Sequence, residues 1–278
     1  MKLRNIILVV QQKYWNLVQT DTDNFWGLGD ILRGLADLHE FCLSNNLNCY
    51  ADLTNHPIAS FLDIDSSTKP PENLQYNCDS TPFILDIQQF ITDNPNTETL
   101  CFFSNQIIRL PELPYNFKTK QFIRNIFRPS SLIQIEISEW LKKLPSPFNI
   151  LHFRVGDTDI VRNNSNEIIN STYSKVSKLY SVYSKKIMNP IVLSDSLYLR
   201  KKMAEDLQAF TINIGKIAHL GYHNNSDLIK NSLVEFFIAT YAQKILGYTT
   251  YEGYFKVSGF VRMIGAIFDI QVKHMIEV

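Results

Sequence analysis

"ILHFRVGDTDI", residues 150–160, sets an apolar run against a charged ending: Ile150, Leu151 and Phe153, with His152 among them, give way to Arg154, Gly156, Asp157 and Asp159. A short apolar run of this kind suits a strand buried in a parallel sheet. Unpaired charges are costly to bury, so the ending belongs where the strand leaves the sheet. In open parallel sheets that carboxyl edge is where loops and helix starts meet and ligands collect. Arg154 offers a planar fork of donors suited to a phosphate, and Gly156 lets a ligand or the backbone come close. The same residues also admit a plain Arg–Asp ion pair trimming a strand end.

Just upstream, "LPSPFN" (144–149) places two prolines between a helical pattern and this strand. It reads as the linker between an N-terminal domain, 1–145, and a C-terminal domain, 146–278. After it the pattern alternates: strand at "ILHFRV", helix over 171–186, strand "PIVLSD", helix over 197–208, strand "FTINI". A helix over about 227–243 follows, with Val234, Ile238, Tyr241 and Ile245 on one face, then the strand "KILGYT" and a last main helix from Ser258. The first half opens on the strand "NIILVV" and continues with a helix carrying Ile31, Leu35, Leu38 and Cys42 as one stripe. Strands are expected at "NCYADL", "PFILDI" and "TLCFFSN", and a helical region from about 118 to 144 breaks near Pro129. Residues 63–82, rich in Ser, Pro, Asn and Asp, read as a long loop. Strands alternating with helices imply a parallel sheet covered on both faces, once in each half: an α/β protein of two Rossmann-like parallel-sheet domains.

The 278 residues hold 27 basic and 27 acidic side chains, which argues against a nucleic-acid partner and for local grip on any anion. The apolar run "IILVV" (6–10) is too short for a membrane span or a signal-peptide core. Cys42, Cys49, Cys78 and Cys101 lack metal-type spacing and read as reduced, mostly buried thiols.

Three further stretches carry candidate chemistry. In "GLGDILRGL" (27–35) glycines precede an amphipathic helix, so free N–H groups and the positive end of a helix dipole meet at an open turn. The spacing G-x-G-x-x-x-x-G is wrong for a dinucleotide fingerprint, which disfavours an oxidoreductase, and a structural cap explains the turn equally well. In "KVSGFVRMIGAIF" (256–268) Ser258 reads as an N-cap and Gly259 leaves its backbone accessible to an anion, while Phe260 fits the buried stripe with Ile264 and Ile267. "LSDS" (193–196) closes a strand with Ser and Asp where a cleft is expected. The "DTD" at 157–159 has the letters of a metal-binding D-x-D, although Arg154 and a helix dipole balance a diphosphate without a divalent ion.

In this order, "GLGDILRGL", "HFRVGD", "LSDS" and "LVEFFIATYAQKILGYTTYEGYFKVSGFVRMIGAIF" resemble the segments of the metal-independent fucosyltransferase superfamily, which includes the α1,2-, α1,6- and protein O-fucosyltransferases. "HFRVGD" is similar to that family's H-x-R-x-G-D signature. The resemblance implies a GT-B fold, two Rossmann-like domains facing across a cleft, with the acceptor side in the first and the nucleotide-sugar side in the second. It implies that Arg154 grips the donor diphosphate, with His152 and Gly156 beside it, and that the turn Ser258–Gly259–Phe260 helps hold the phosphates. Gly27, Gly29 and Asp30 would line the opposite wall and Asp195 would contact the nucleoside. Two positions depart from the family pattern: Val155 follows Arg154 where a second arginine is common, and Val261 stands where a second serine is common.

The expected reaction is inverting glycosyl transfer through an oxocarbenium-like state, without metal or cofactor. GDP-fucose is the first donor and UDP-xylose an alternative; the acceptor is a glycan hydroxyl. Arg154 and the helix start at Ser258 would stabilise the leaving diphosphate, and Asp157, Asp159 or Asp30 would serve as general base. His152, inside the strand, is rather a packing residue than the base. Acceptor choice would lie in loops 11–26 and 63–82, and the absence of an anchor points to the cytoplasm. A catalytically silent nucleotide-sugar-binding protein is the competing reading, drawn from the missing second arginine.

Overall fold

The computed structural model describes residues 4–9, 27–54, 56–74, 89, 92–93, 96–102, 114–155, 166–183, 187–217, 225–249 and 257–275. The expected strand "PFILDI" and loop 11–26 lie outside them. The chain divides into two compact units, Met1–Ser130 and Ser131–Val278. The division falls ahead of the 144–149 prolines, because the helix before them packs within the second unit.

Among the described residues the first unit holds three parallel strands, β1 (Asn5–Val9), β2 (Asn48–Asp52) and β3 (Thr99–Phe102), in the order β2-β1-β3. Central β1 is buried along its whole length, as its unbroken apolar run requires. The Asn5 amide donates to Thr99 Oγ1 at 3.1 Å and accepts from the Asn48 amide at 2.9 Å. This polar ladder across the strand starts fixes the register, since a slip of one residue would turn every buried side chain to the other face. Helix α1 (Leu28–Asn45) buries the expected Ile31, Leu35, Leu38 and Cys42 stripe and ends on Asn46 in the left-handed conformation. Helix α2 (Phe117–Ile126) is capped by Asn116 and packs on α1, with His39 stacked on Phe122 at 4.3 Å. Within the expected loop 63–82 a short 3-10 turn, Ser66–Thr68, is capped by Asp65. Cys42, Cys49 and Cys101 are free thiols, as expected; burial and a hydrogen bond to Cys42 push the Cys49 thiol up.

The second unit begins with α3 (Ser131–Lys143) and holds β4 (Asn149–Arg154), α4 (Asn166–Tyr183), β5 (Pro190–Ser194), α5 (Leu197–Asp206), β6 (Phe210–Thr211), α6 (Ser226–Ala239), β7 (Lys244–Thr249), α7 (Gly259–Phe268) and β8 (Gln271–His274). Among the described residues its five strands are all parallel, in the order β6-β5-β4-β7-β8. The chain runs outward from β4 to β6, then returns to place β7 on the other side of β4. That is the arrangement of a Rossmann-like unit.

Three details differ from the sequence expectation. Strand β6 spans two residues, Phe210–Thr211, rather than the five of "FTINI". Helix α6 stops at Ala239, where Thr240 caps it through its hydroxyl to the Phe237 carbonyl. Tyr241 is therefore 54% exposed beyond the helix and Ile245 lies in β7, so neither shares a face with Val234 and Ile238. Strand β8 went unanticipated. It packs beside Gly265, where an added Cβ would lie 2.4 Å from Val272 Cγ2. Among the described residues no helix is long and apolar enough to cross a membrane.

Candidate nucleotide-sugar site

Arg154 is the last residue of β4, paired in register with Thr249 of β7. The chain reverses its winding between these two strands, so their carboxyl ends border the crevice in which open α/β sheets bind ligands. Next in sequence, Val155 is buried and its N–H donates to both carboxylate oxygens of Asp195, at 2.9 and 3.2 Å. Asp195 follows β5 directly. Ser194 Oγ accepts from the Ser196 N–H at 3.1 Å, and Ser196 caps α5 by accepting from the Leu199 N–H. The "LSDS" turn thus stitches the exit of β4 to that of β5.

Helix α7 supplies the next wall. Ser258 is its N-cap, as expected, and its hydroxyl accepts from the Phe260 N–H at 3.2 Å. Gly247 of β7, opposite His152 in register, lets this helix start approach the sheet: a Cβ there would meet Val257 Cγ1 at 2.9 Å. Val261 is fully buried and lies near the same glycine, which suits an apolar side chain at this position.

His152 joins strand and helix. It is 8% exposed and stacks on Phe260 at 5.7 Å, and its Nδ1 has no hydrogen-bond partner among the described residues. Burial, then the charges of Arg154 and Arg200, lower its pKa to about 3. The imidazole is neutral at physiological pH, in keeping with a packing role. Phe260 also meets Phe236 edge-on at 5.9 Å, so it belongs to the packing of α6 and α7.

The second unit therefore brings together His152, Arg154, Asp195, Ser258, Gly259 and Phe260. Gly156, Asp157 and Asp159 lie outside the described residues. The glycine-rich stretch belongs to the first unit and differs from expectation: α1 already starts at Leu28, so Gly27 is its N-cap and Gly29 and Asp30 lie within the first turn. Asp30 receives the Arg33 guanidinium at 3.0 Å. In the same unit a cavity of about 350 Å³ opens at the carboxyl end of β2, lined by Asp52, Thr54, Leu62, Lys69, Pro70 and Glu72 among others.

Sequence reasoning missed an ion pair beneath the site. Arg200 of α5 and Glu235 of α6 approach to 2.6 Å with their side chains 2% and 3% exposed. Burial pushes the Glu235 carboxyl up to about 7, against the pull of Arg200. The one available signal was a lone glutamate inside the apolar run "SLVEFFIA".

No family model matches the chain, and no curated protein matches it in sequence. Solved structures match in fold. A mutant of Arabidopsis thaliana FUT1 in complex with GDP superposes at a TM-score of 0.61 with 10% identity, covering 100% of this chain and 71% of that one. NodZ α-1,6-fucosyltransferase co-crystallised with GDP gives 0.55 with 14% identity, covering 95% of this chain and 92% of that one. NodZ soaked with GDP-fucose gives 0.56 with 12% identity, over 96% and 93%. The chain has the fold of these fucosyltransferases. The expected architecture, two parallel-sheet Rossmann-like units, is theirs too.

Proposed function

We propose that the protein is a fucosyltransferase-like glycosyltransferase that takes its sugar from a nucleotide-sugar donor, with GDP-fucose as the first donor to test. The observation carrying this reading is the position of Arg154: a guanidinium at the carboxyl end of the central strand, where the winding of the sheet reverses, with the Ser258-capped start of α7 reached through the His152–Phe260 stack. A guanidinium and a helix N-terminus together neutralise a diphosphate without a metal ion. The neighbours crystallised with GDP or GDP-fucose support the same choice of ligand.

The reaction is inverting displacement at the anomeric carbon: the acceptor hydroxyl attacks, the bond to the diphosphate breaks, and charge develops on the leaving oxygens where Arg154 and the α7 amides receive it. The hydroxyl proton passes to a carboxylate. Asp30 is engaged by Arg33, so Asp157 and Asp159 are the stronger choices. The cavity beside β2, bordered by Lys69, Pro70 and Glu72 of the 63–82 loop, is the seat we assign to the acceptor glycan.

A second reading, a silent nucleotide-sugar-binding protein, draws on Val155, 3% exposed where the family commonly has its second arginine. Calorimetric titration with GDP, UDP and their sugar conjugates, followed by a transfer assay on a glycan panel, tests both. Arg154→Ala is expected to weaken GDP binding by about 2 kcal/mol, the size of a charge-assisted contact, some thirtyfold in Kd. Unchanged affinity removes Arg154 from the site and the proposal with it. Binding without transfer or hydrolysis selects the second reading.

A further inference from the structure

The Arg200–Glu235 pair lies where a simple core would serve for stability. Taking two charges out of water roughly cancels their attraction, and well-packed apolar residues often replace such pairs without loss. What apolar residues cannot do is bind backbone. Arg200 donates through Nη2 to the Ser194 carbonyl at 2.8 Å and through Nη1 to the Ile212 carbonyl at 3.2 Å. These carbonyls stand at the carboxyl ends of β5 and just past β6, where the sheet ladder stops supplying partners. Glu235 balances the guanidinium from α6.

From Ser194 the connection is continuous. The next residue is Asp195, whose carboxylate holds the Val155 N–H, and Val155 adjoins Arg154. The Arg200 charge also reaches His152 and helps keep it neutral.

We propose that Arg200 and Glu235 are positioning residues of the nucleotide-sugar site: the buried pair sets the Ser194–Asp195–Ser196 turn, and through the Asp195–Val155 contact it aims Arg154. The inference rests on the nucleotide-sugar reading above. Rigid support of this kind matters because a displacement of about 1 Å in a positioned group costs up to about a hundredfold in activity.

The test is a double-mutant cycle on the full chain, read as GDP affinity by calorimetry. Glu235→Leu and Asp195→Ala are each expected to weaken GDP by about tenfold, and the double variant to be no weaker than Asp195→Ala alone, because both cut one connection. Additive losses overturn the proposal. Glu235→Gln, which keeps an acceptor for Arg200, is expected to bind within about threefold of wild type, whereas Arg200→Lys, which cannot span two carbonyls, loses about tenfold. Should Glu235→Leu fail to fold, this second pair decides, and Arg200→Lys binding as wild type refutes the role. Arg154→Ala separates the two claims. If it leaves GDP binding intact, the nucleotide-sugar reading falls and this inference with it; if it abolishes binding while the cycle is additive, this inference alone falls.

Discussion

His152 and Arg154 are two residues apart on one strand, so their side chains leave the same face of the sheet. A neutral imidazole there has a definite value. Protonated, it would compete with Arg154 for any anion and repel it; buried and uncharged, it leaves the guanidinium as the cation that a diphosphate meets on this strand. Ser258 acts in the same neighbourhood through the backbone, since its hydroxyl satisfies the Phe260 N–H and fixes where α7 begins. Ser258→Ala is expected to cost about 1 kcal/mol of stability, the usual loss of a cap. Ser258→Asp keeps a capping oxygen yet sets a negative charge against the diphosphate. A thermal melt should therefore show Ser258→Asp closer to wild type than Ser258→Ala, while GDP titration ranks them in the opposite order. The same order in both assays would take α7 out of the binding site.

Elements meet as closely as their smallest residues allow, and Gly247 governs one such meeting. With a methyl group at that position, 2.9 Å from Val257 Cγ1, Val257 must give way, and the adjoining Ser258 is expected to shift with it. Gly247→Ala is expected to weaken GDP by several-fold while the parallel sheet, read by far-ultraviolet circular dichroism, stays as it is; wild-type affinity would show the helix start to be insensitive to its footing. At this scale much was legible in sequence. Strands β1, β4, β5 and β7 each carry a short apolar run of the kind that suits a buried parallel strand, and Ser258 caps α7 as its type requires. Strand β8 was not legible, since "QVKH" is a four-residue alternation with no turn signal of its own. The end of α6 was missed because that helix is buried nearly all round, leaving no polar face to mark where periodicity stops. The Arg200–Glu235 pair depends on α5 and α6 meeting in space, which no local pattern encodes.

Over the whole molecule the two units answer acid differently. In the first, burial lowers the pKa of His56 to about 3 and that of His39 to about 4, whereas the unfolded chain takes up these protons near pH 6.5. A depressed folded pKa gives stability that is complete above 6.5 and is lost as pH falls toward the folded value. His56 alone forfeits roughly 2 kcal/mol by pH 5. In the second unit His152 acts the same way, but Glu235, raised to about 7, holds in the folded state a proton that the unfolded chain releases above about pH 4.5. Its contribution runs the other way over the window from 4.5 to 6.5, and the two nearly cancel. Acidification from pH 7 to 5 is expected to deprotect the β1 core and leave that of β4 largely unchanged, as read by hydrogen exchange corrected for intrinsic rate. Preferential opening of β4 would contradict this assignment, and His56→Asn should blunt the response of the first unit.

The second sheet ends in β6, two residues long, and β8, four residues long with Lys273 exposed. A foreign strand docking alongside either would find few free amides, and on one flank an ammonium group in its way. The border of this sheet thus gives little template for ladder growth from molecule to molecule. That border is a poor seed for fibrous self-association through this sheet.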